Sequence, residues 1–154
     1  MRAAITAFIV FPLLAAGAAA QGVGASLPQP VAAYVRNAVK ECRDNGGQPV
    51  QDPRFVRSAD FNGDGKPDYL VDDNLFECKG ASLYNCGSHG CGIDVFLSVG
   101  NGYRGNTLNE VCYGSEIVTG GRLPVIELEC RVDPPPSVGA VRVVWSGKKF
   151  VRQR

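Results

Sequence analysis

Oxygen-bearing side chains recur at alternate positions in one short segment, residues 60–68. The segment reads Asp-Phe-Asn-Gly-Asp-Gly-Lys-Pro-Asp, with polar side chains at loop positions 1, 3, 5 and 9 and Gly65 at position 6. Calcium takes roughly six to eight hard oxygen ligands, and a glycine at position 6 permits the sharp turn that wraps such a loop around the ion. The spacing therefore predicts a Ca²⁺ site built from four side chains and the carbonyl of Lys66: Asp60, Asn62, Asp64 and Asp68.

The predicted site departs from an EF-hand at loop position 12, where Val71 replaces the bidentate glutamate. The candidates for the remaining Ca²⁺ ligands are Asp72, Asp73 or water. The alternative is an Asx-rich turn without metal, in which the same side chains cap their own backbone. We favour calcium because five positions match together. Strand-like residues flank the loop on both sides, Phe55–Arg57 before it and Tyr69–Val71 after it.

Residues 55–73 resemble the calcium loops of FG-GAP and related repeat proteins, whose signature is Asp-Phe-Asn-Gly-Asp-Gly-x-x-Asp followed by a strand. Those families stack several such units into a propeller, whereas one unit is present here, so the resemblance implies the loop and not the propeller.

The chain beyond residue 20 is also similar to a family of small periplasmic proteins of proteobacteria. The shared layout is a short helix with Cys-x-x-x-Gly-Gly (residues 42–47), the calcium loop, Cys-Gly-Ser-x-Gly-Cys (86–91) and a Trp-x-Gly-x-x-Phe hairpin (145–150). This resemblance implies export and a compact domain, and it supplies no catalytic residues.

The first twenty residues have the outline of a secretory signal peptide. Arg2 supplies a positive charge, residues 3–20 are mostly apolar, and the small residues Ala18 and Ala20 suit cleavage before Gln21. The alternative is an uncleaved anchor helix, which the cleavage-site chemistry disfavours. We therefore expect residues 21–154 to form a single domain that is periplasmic or secreted and has no stable membrane insertion.

Six cysteines lie beyond the predicted cleavage site. An even number in an oxidising compartment predicts three disulfides, although the pattern does not fix the pairing. Our preferred pairing joins Cys86 to Cys91 across a glycine-rich loop, Cys112 to Cys130 between neighbouring strands, and Cys42 to Cys78 to hold the N-terminal helix. His89 is the only histidine and lies between Cys86 and Cys91 without the spacing of a haem or zinc site.

Hydrophobic periodicity predicts a mostly β (α+β) fold. Helical spacing covers Val31–Asp44, alternation covers residues 93–99 and 126–132, and residues 141–151 form a closing hairpin around Ser146-Gly147. The alternation is typical of half-buried strands. We expect one short N-terminal helix packed on a small antiparallel sheet. Disulfides cross-link this fold, and the calcium loop lies between two of its strands.

The charge balance limits the classes of partner. The chain has 16 Lys+Arg and 15 Asp+Glu, and loss of Arg2 leaves the domain neutral, which argues against a dedicated nucleic-acid binder. Acids are concentrated in residues 41–94 and bases in residues 131–154. We explain the acids by a cation site and the bases by a solvated edge. The alternative is a basic C-terminal patch for an anionic polymer or partner.

No nucleophile elbow, zinc-binding helix or phosphate loop occurs in the sequence. We therefore favour a non-enzymatic binding domain whose partner is an envelope protein or a cell-wall component. A second hypothesis is an inhibitor of an envelope or host hydrolase of the lysozyme kind, which presents the Cys86–Cys91 loop as a plug. A third is a carboxylate-dependent envelope hydrolase that draws its acids from four residues: Asp72, Asp73, Glu77 and Asp94.

Overall fold

The computed structural model describes residues 27–82, 86–134 and 137–153, so the predicted signal peptide lies outside the described residues. Within them, one helix, α1, spans Gln29–Asp44 and a 3₁₀ turn spans Asp73–Leu75. Twelve strands complete the described part: β1 (Gln48–Gln51), β2 (Val56–Ala59), β3 (Asp68–Asp72), β4 (Phe76–Lys79), β5 (Cys86–Gly87), β6 (Gly90–Val99), β7 (Gly102–Arg104), β8 (Glu110–Cys112), β9 (Gly114–Val118), β10 (Val125–Arg131), β11 (Val138–Trp145) and β12 (Phe150–Arg152). The mostly β prediction with one N-terminal helix is confirmed.

The described strands form three antiparallel sheets, where the sequence predicts one small sheet. The largest has the order β2-β3-β6-β5, with β7 and β8 also paired to β6. The second has the order β12-β11-β10-β9, and the third is the pair β1-β4. Among the described residues, no helix is both long enough and apolar enough to cross a membrane.

Two hydrophobic clusters arrange the molecule in three layers. One cluster fills the space between the two larger sheets, and it joins Leu70 and Val95 to Leu128 and Val143. The other lies on the opposite face of the largest sheet, where α1 covers it with Val31. The layers therefore run helix, sheet, sheet, and burial of these apolar side chains is the main driving force that holds them together.

Strand β6 is buried on both faces, so the prediction of a half-buried strand is wrong for it. Ile93, Val95 and Leu97 enter the core between the sheets, whereas Asp94 and Phe96 lie on the helix side and are only 8% and 7% exposed. Alternation in the sequence predicts one solvated face. The structure differs because α1 covers that face and because protein donors satisfy the polar groups on it.

The three disulfides of the described chain match the preferred pairing. Cys42–Cys78 ties α1 to β4, and Cys86–Cys91 closes the β5–β6 hairpin at its base. Cys112–Cys130 joins β8 of the largest sheet to β10 of the second sheet. Each bridge typically adds about 2–4 kcal/mol to stability, chiefly by restricting the unfolded chain.

Candidate calcium site and the turns around it

The predicted calcium loop is the connection between β2 and β3. Ala59 and Asp68 are paired residues of these antiparallel strands, so the loop leaves and re-enters the sheet at one point. Gly63 and Gly65 have φ angles of 77° and 81°, a region that side-chain-bearing residues rarely adopt. The glycine at loop position 6 therefore makes the turn that the sequence assigned to it.

Asp60 lies at the centre of this turn. Its Oδ1 accepts hydrogen bonds from the backbone N–H groups of Gly63 (2.7 Å) and Asp64 (3.1 Å), and its Oδ2 accepts one from Gly65 (2.8 Å). The backbone thus wraps around the first predicted ligand.

Asp68 is fully buried and holds the two ends of the loop together. Its Oδ2 accepts from the N–H groups of Phe61 (2.8 Å) and Asn62 (3.1 Å). Its Oδ1 accepts from the backbone N–H (2.6 Å) and the hydroxyl (2.8 Å) of Ser98 on β6. Four donors therefore compensate the cost of burying this carboxylate.

Ser98 also joins the remaining predicted ligands. Its hydroxyl oxygen lies 2.9 Å from Oδ2 of Asp64, so the single hydroxyl proton is shared between Asp64 and Asp68, and its carbonyl accepts from Nδ2 of Asn62 at 3.0 Å. Sequence reasoning missed this residue because it lies 34 positions beyond Asp64. The available signal was a hydroxyl residue directly after the apolar run Val95–Leu97.

The electrostatics of Asp64 suit a metal ligand. The backbone N–H of Lys66 donates to Oδ1 at 2.9 Å and lowers the pKa of the Asp64 carboxyl, and hydrogen bonds from Ser98 and Asn62 lower this pKa further. A carboxylate must be deprotonated to bind a metal, and Asp64 meets this condition at neutral pH. Asp64 is also exposed, so an ion can reach it.

The donor set fits calcium rather than a softer metal, because it consists of carboxylate, amide and backbone oxygens. In the described part of the chain, no three acidic, histidine or cysteine side chains converge as a ready metal cluster. Many of the carboxylate oxygens are instead held by backbone N–H groups, as the Asx-turn alternative expects. Ca²⁺ would therefore be held by Asp60, Asn62, Asp64 and Asp68 with the Lys66 carbonyl, and the loop would have to adjust to present these oxygens together.

The expectation that Asp72 or Asp73 completes the calcium shell is wrong. Both lie at the far end of β3 and are 1% exposed. Asp72 accepts from the hydroxyl of Ser115 at 2.6 Å and from Nη2 of Arg57 at 3.4 Å, which links the two larger sheets. Asp73 accepts from the Tyr34 hydroxyl at 2.6 Å. The Ser98 hydroxyl is the nearby oxygen that the sequence did not assign.

Three of the four carboxylates considered for a hydrolase have structural partners. Asp94 accepts from the backbone N–H of its neighbour Val95 and from those of three residues in the segment that follows β7, which it holds in place: Asn106, Leu108 and Asn109. Asp72 and Asp73 are engaged as described above, and Glu77 is exposed on β4. The structure therefore gives Asp72, Asp73 and Asp94 positioning roles within the fold.

The calcium loop contacts two other turns, and a strand residue next to a third, at the same end of the two packed sheets. Lys66 Nζ donates to the Gly100 carbonyl at 2.6 Å in the β6–β7 turn. A Cβ on Gly63 would lie 2.9 Å from the Leu123 side chain, which places the loop against the β9–β10 connection. Phe61 packs edge-to-face on Phe150, next to the β11–β12 turn, with ring centroids 6.2 Å apart. We call residues 60–67, 100–101, 119–124 and 146–149 together the four-turn end.

The β5–β6 hairpin lies at the opposite end of β6. Ser88 and His89 form its exposed tip, above the Cys86–Cys91 disulfide. The Tyr113 hydroxyl donates to the Ser88 carbonyl at 3.1 Å, and Arg131 Nη1 lies 2.8 Å from His89 Nε2. The tip is thus held in one conformation by neighbours from β8–β9 and β10.

Comparisons with protein-family models, with curated proteins and with solved structures found no match to this chain. Function is therefore inferred from the side chains and turns described above.

Proposed function

We propose that this protein is an exported, non-catalytic binding domain in which Ca²⁺ at residues 60–68 fixes the surface that meets a partner. The observation that carries the proposal is the position of the loop, which contacts Gly100 and Leu123 in two of the other turns and packs on Phe150 beside the third. Binding surfaces are commonly formed by loops that a rigid β framework holds at one end. An ion held in the central loop would therefore order the whole surface.

Three features of the loop support the calcium site, and the disulfides support export. The loop supplies only oxygen donors, its glycine at position 6 adopts the required turn, and its exposed Asp64 stays ionised at neutral pH. The three disulfides support export, because such bonds persist in oxidising compartments. In the cell envelope, the partner that binds this surface would be an envelope protein or a cell-wall component.

Thermal unfolding of residues 21–154 with Ca²⁺ and with a chelator tests the calcium site. Calcium at about a hundred times its Kd adds about 2.7 kcal/mol to the free energy of unfolding. For a domain of this size that raises Tm by about 8–13 °C. Asp64→Ala should remove the shift, because it deletes an exposed predicted ligand.

Asp44→Ala is the matched control. Asp44 is an exposed aspartate at the end of α1, where it pairs with Lys40 and lies outside the loop. This variant should keep the full calcium shift. An unchanged wild-type melting curve, or an equal loss of the shift in both variants, would contradict the proposed site.

Inhibition of a hydrolase is the second candidate function, and the β5–β6 hairpin favours it. The exposed tip is closed by a disulfide and held by Tyr113 and Arg131, so little conformational entropy is lost when it enters a cleft. Arg131 brings positive charge and hydrogen-bond donors to this tip, where its Nη1 lies 2.8 Å from His89 Nε2. These groups complement the paired carboxylates of a glycoside hydrolase.

Cell-wall hydrolysis by lysozyme tests this second function. An inhibitor slows the release of peptidoglycan fragments, and His89→Ala weakens the effect while Asp44→Ala does not. Because the hairpin lies away from the calcium loop, a chelator should leave the inhibition unchanged. Normal lysozyme activity at excess protein would rule out this function, and fragment release by the protein alone would support the hydrolase hypothesis instead.

A further inference from the structure

The four-turn end is rich in exposed basic side chains. Each of three connections contributes at least one, and the full set is Lys66, Arg122, Lys148 and Lys149. Acidic side chains are found only in the calcium loop, where Asp60 is half-buried, Asp64 is exposed and Asp68 opens β3. Asp68 is fully buried beneath four hydrogen-bond donors, so its charge is directed inward. The surface that faces solvent is therefore predominantly cationic.

We infer that the four-turn end binds an acidic polysaccharide and that Ca²⁺ strengthens this binding. The inference rests on the proposed calcium site and names the partner class that the site would serve. The bases come from separate connections that the fold gathers at one end, so they form a patch that no single segment of the sequence contains. Such a patch attracts a repeating chain of negative charges.

Calcium changes the charge of this end directly. The four bases and the three loop carboxylates give a formal charge of +1. One bound Ca²⁺ brings that charge to +3, because the ion supplies two positive charges to the same carboxylates. The ion also holds the loop against its neighbours, which fixes Lys66 beside Gly100. Calcium therefore adds both charge and order to the surface.

The exposed groups favour a polysaccharide over other polyanions. Phe61, the aromatic residue of the four connections, is fully buried. Tyr103 beside them is half-buried and its hydroxyl donates to the Pro67 carbonyl, so the patch offers little of the stacking surface that single-stranded nucleic acids need. Val99 and Val118 are the large apolar side chains of the described chain exposed beside these turns, and together they make a small surface for insertion into lipid.

Binding of residues 21–154 to dextran sulfate, with neutral dextran as the reference polymer, tests the inference. We expect the protein to bind dextran sulfate and not dextran, and to bind about tenfold more weakly in chelator than in excess Ca²⁺. The double variant K148A/K149A should weaken binding by about tenfold or more, because each surface lysine near a polyanion contributes substantially. Asp64→Ala should make the affinity insensitive to calcium, which separates an effect on the protein from calcium bridging.

The matched control is K40A/K79A, which removes two exposed lysines from α1 and β4 and should bind as the wild type does. A thermal shift with calcium but no binding to dextran sulfate would overturn the inference and leave the calcium site standing. Equal losses in the two double variants would also overturn it. Absence of the thermal shift would instead contradict the calcium site. Tighter binding to DNA or to anionic vesicles than to dextran sulfate would contradict the polysaccharide assignment.

Discussion

Individual carboxylates in the loop have separable roles. Asp68 is buried and accepts from the backbone of both the loop and β6, whereas Asp64 is exposed and accepts from Lys66 and Ser98. Both occupy predicted ligand positions, and the sequence spacing gives no sign that they differ. The sequence predicted that Asp64 and Asp68 lie in one loop, because they are close together in the chain. It missed Ser98 because strand pairing, not sequence distance, brings that hydroxyl to the loop.

Asp68→Asn should destabilise the protein even in chelator, by about 2 kcal/mol, because the amide has one oxygen to replace a charged acceptor of four hydrogen bonds. Asp64→Asn should leave stability in chelator nearly unchanged and abolish the response to calcium. Urea unfolding of both variants in chelator checks this contrast. Equal stability of the two would show that burial of Asp68 has no structural role.

At the scale of elements, the sequence patterns predicted the helix and the longer strands at nearly the positions that the structure shows. The helix begins two residues before the predicted start, β3, β6 and β11 cover their predicted segments, and β10 covers all of its segment except Val132. The short strands β1, β4, β8 and β9 lack a long alternating run, so their periodicity gives little signal. The sequence pattern also could not predict that both faces of β6 are buried, because this burial depends on where α1 packs.

Gly90, at the start of β6, shows how closely the strands approach. Its φ angle is 102°, and a Cβ at this position would lie 1.9 Å from the carbonyl oxygen of Cys112 on β8. Gly90→Ala should therefore lower the free energy of unfolding by about 3 kcal/mol or more, through steric overlap and backbone strain. Gly87→Ala in the same hairpin meets no atom within 4 Å and should be nearly neutral. Urea unfolding of the pair checks the prediction, and similar stabilities would contradict the close approach of β8.

At the scale of the whole molecule, the two ends of the packed sheets differ. One end gathers the calcium loop and its three neighbouring turns, and the other carries the disulfide-closed hairpin at residues 86–91. The sequence identified both segments but did not predict that they lie at opposite ends of β6. Their separation makes a calcium-dependent and a calcium-independent function distinguishable in one protein.

Amide hydrogen exchange with and without calcium tests most directly whether the ion orders the whole surface. We predict that Ca²⁺ slows exchange in the loop and in the neighbouring segments 98–101, 119–124 and 146–150, because the loop contacts all three. Residues 86–91 serve as the internal control and should exchange at an unchanged rate. Slower exchange confined to residues 60–68, or no change anywhere, would contradict the account.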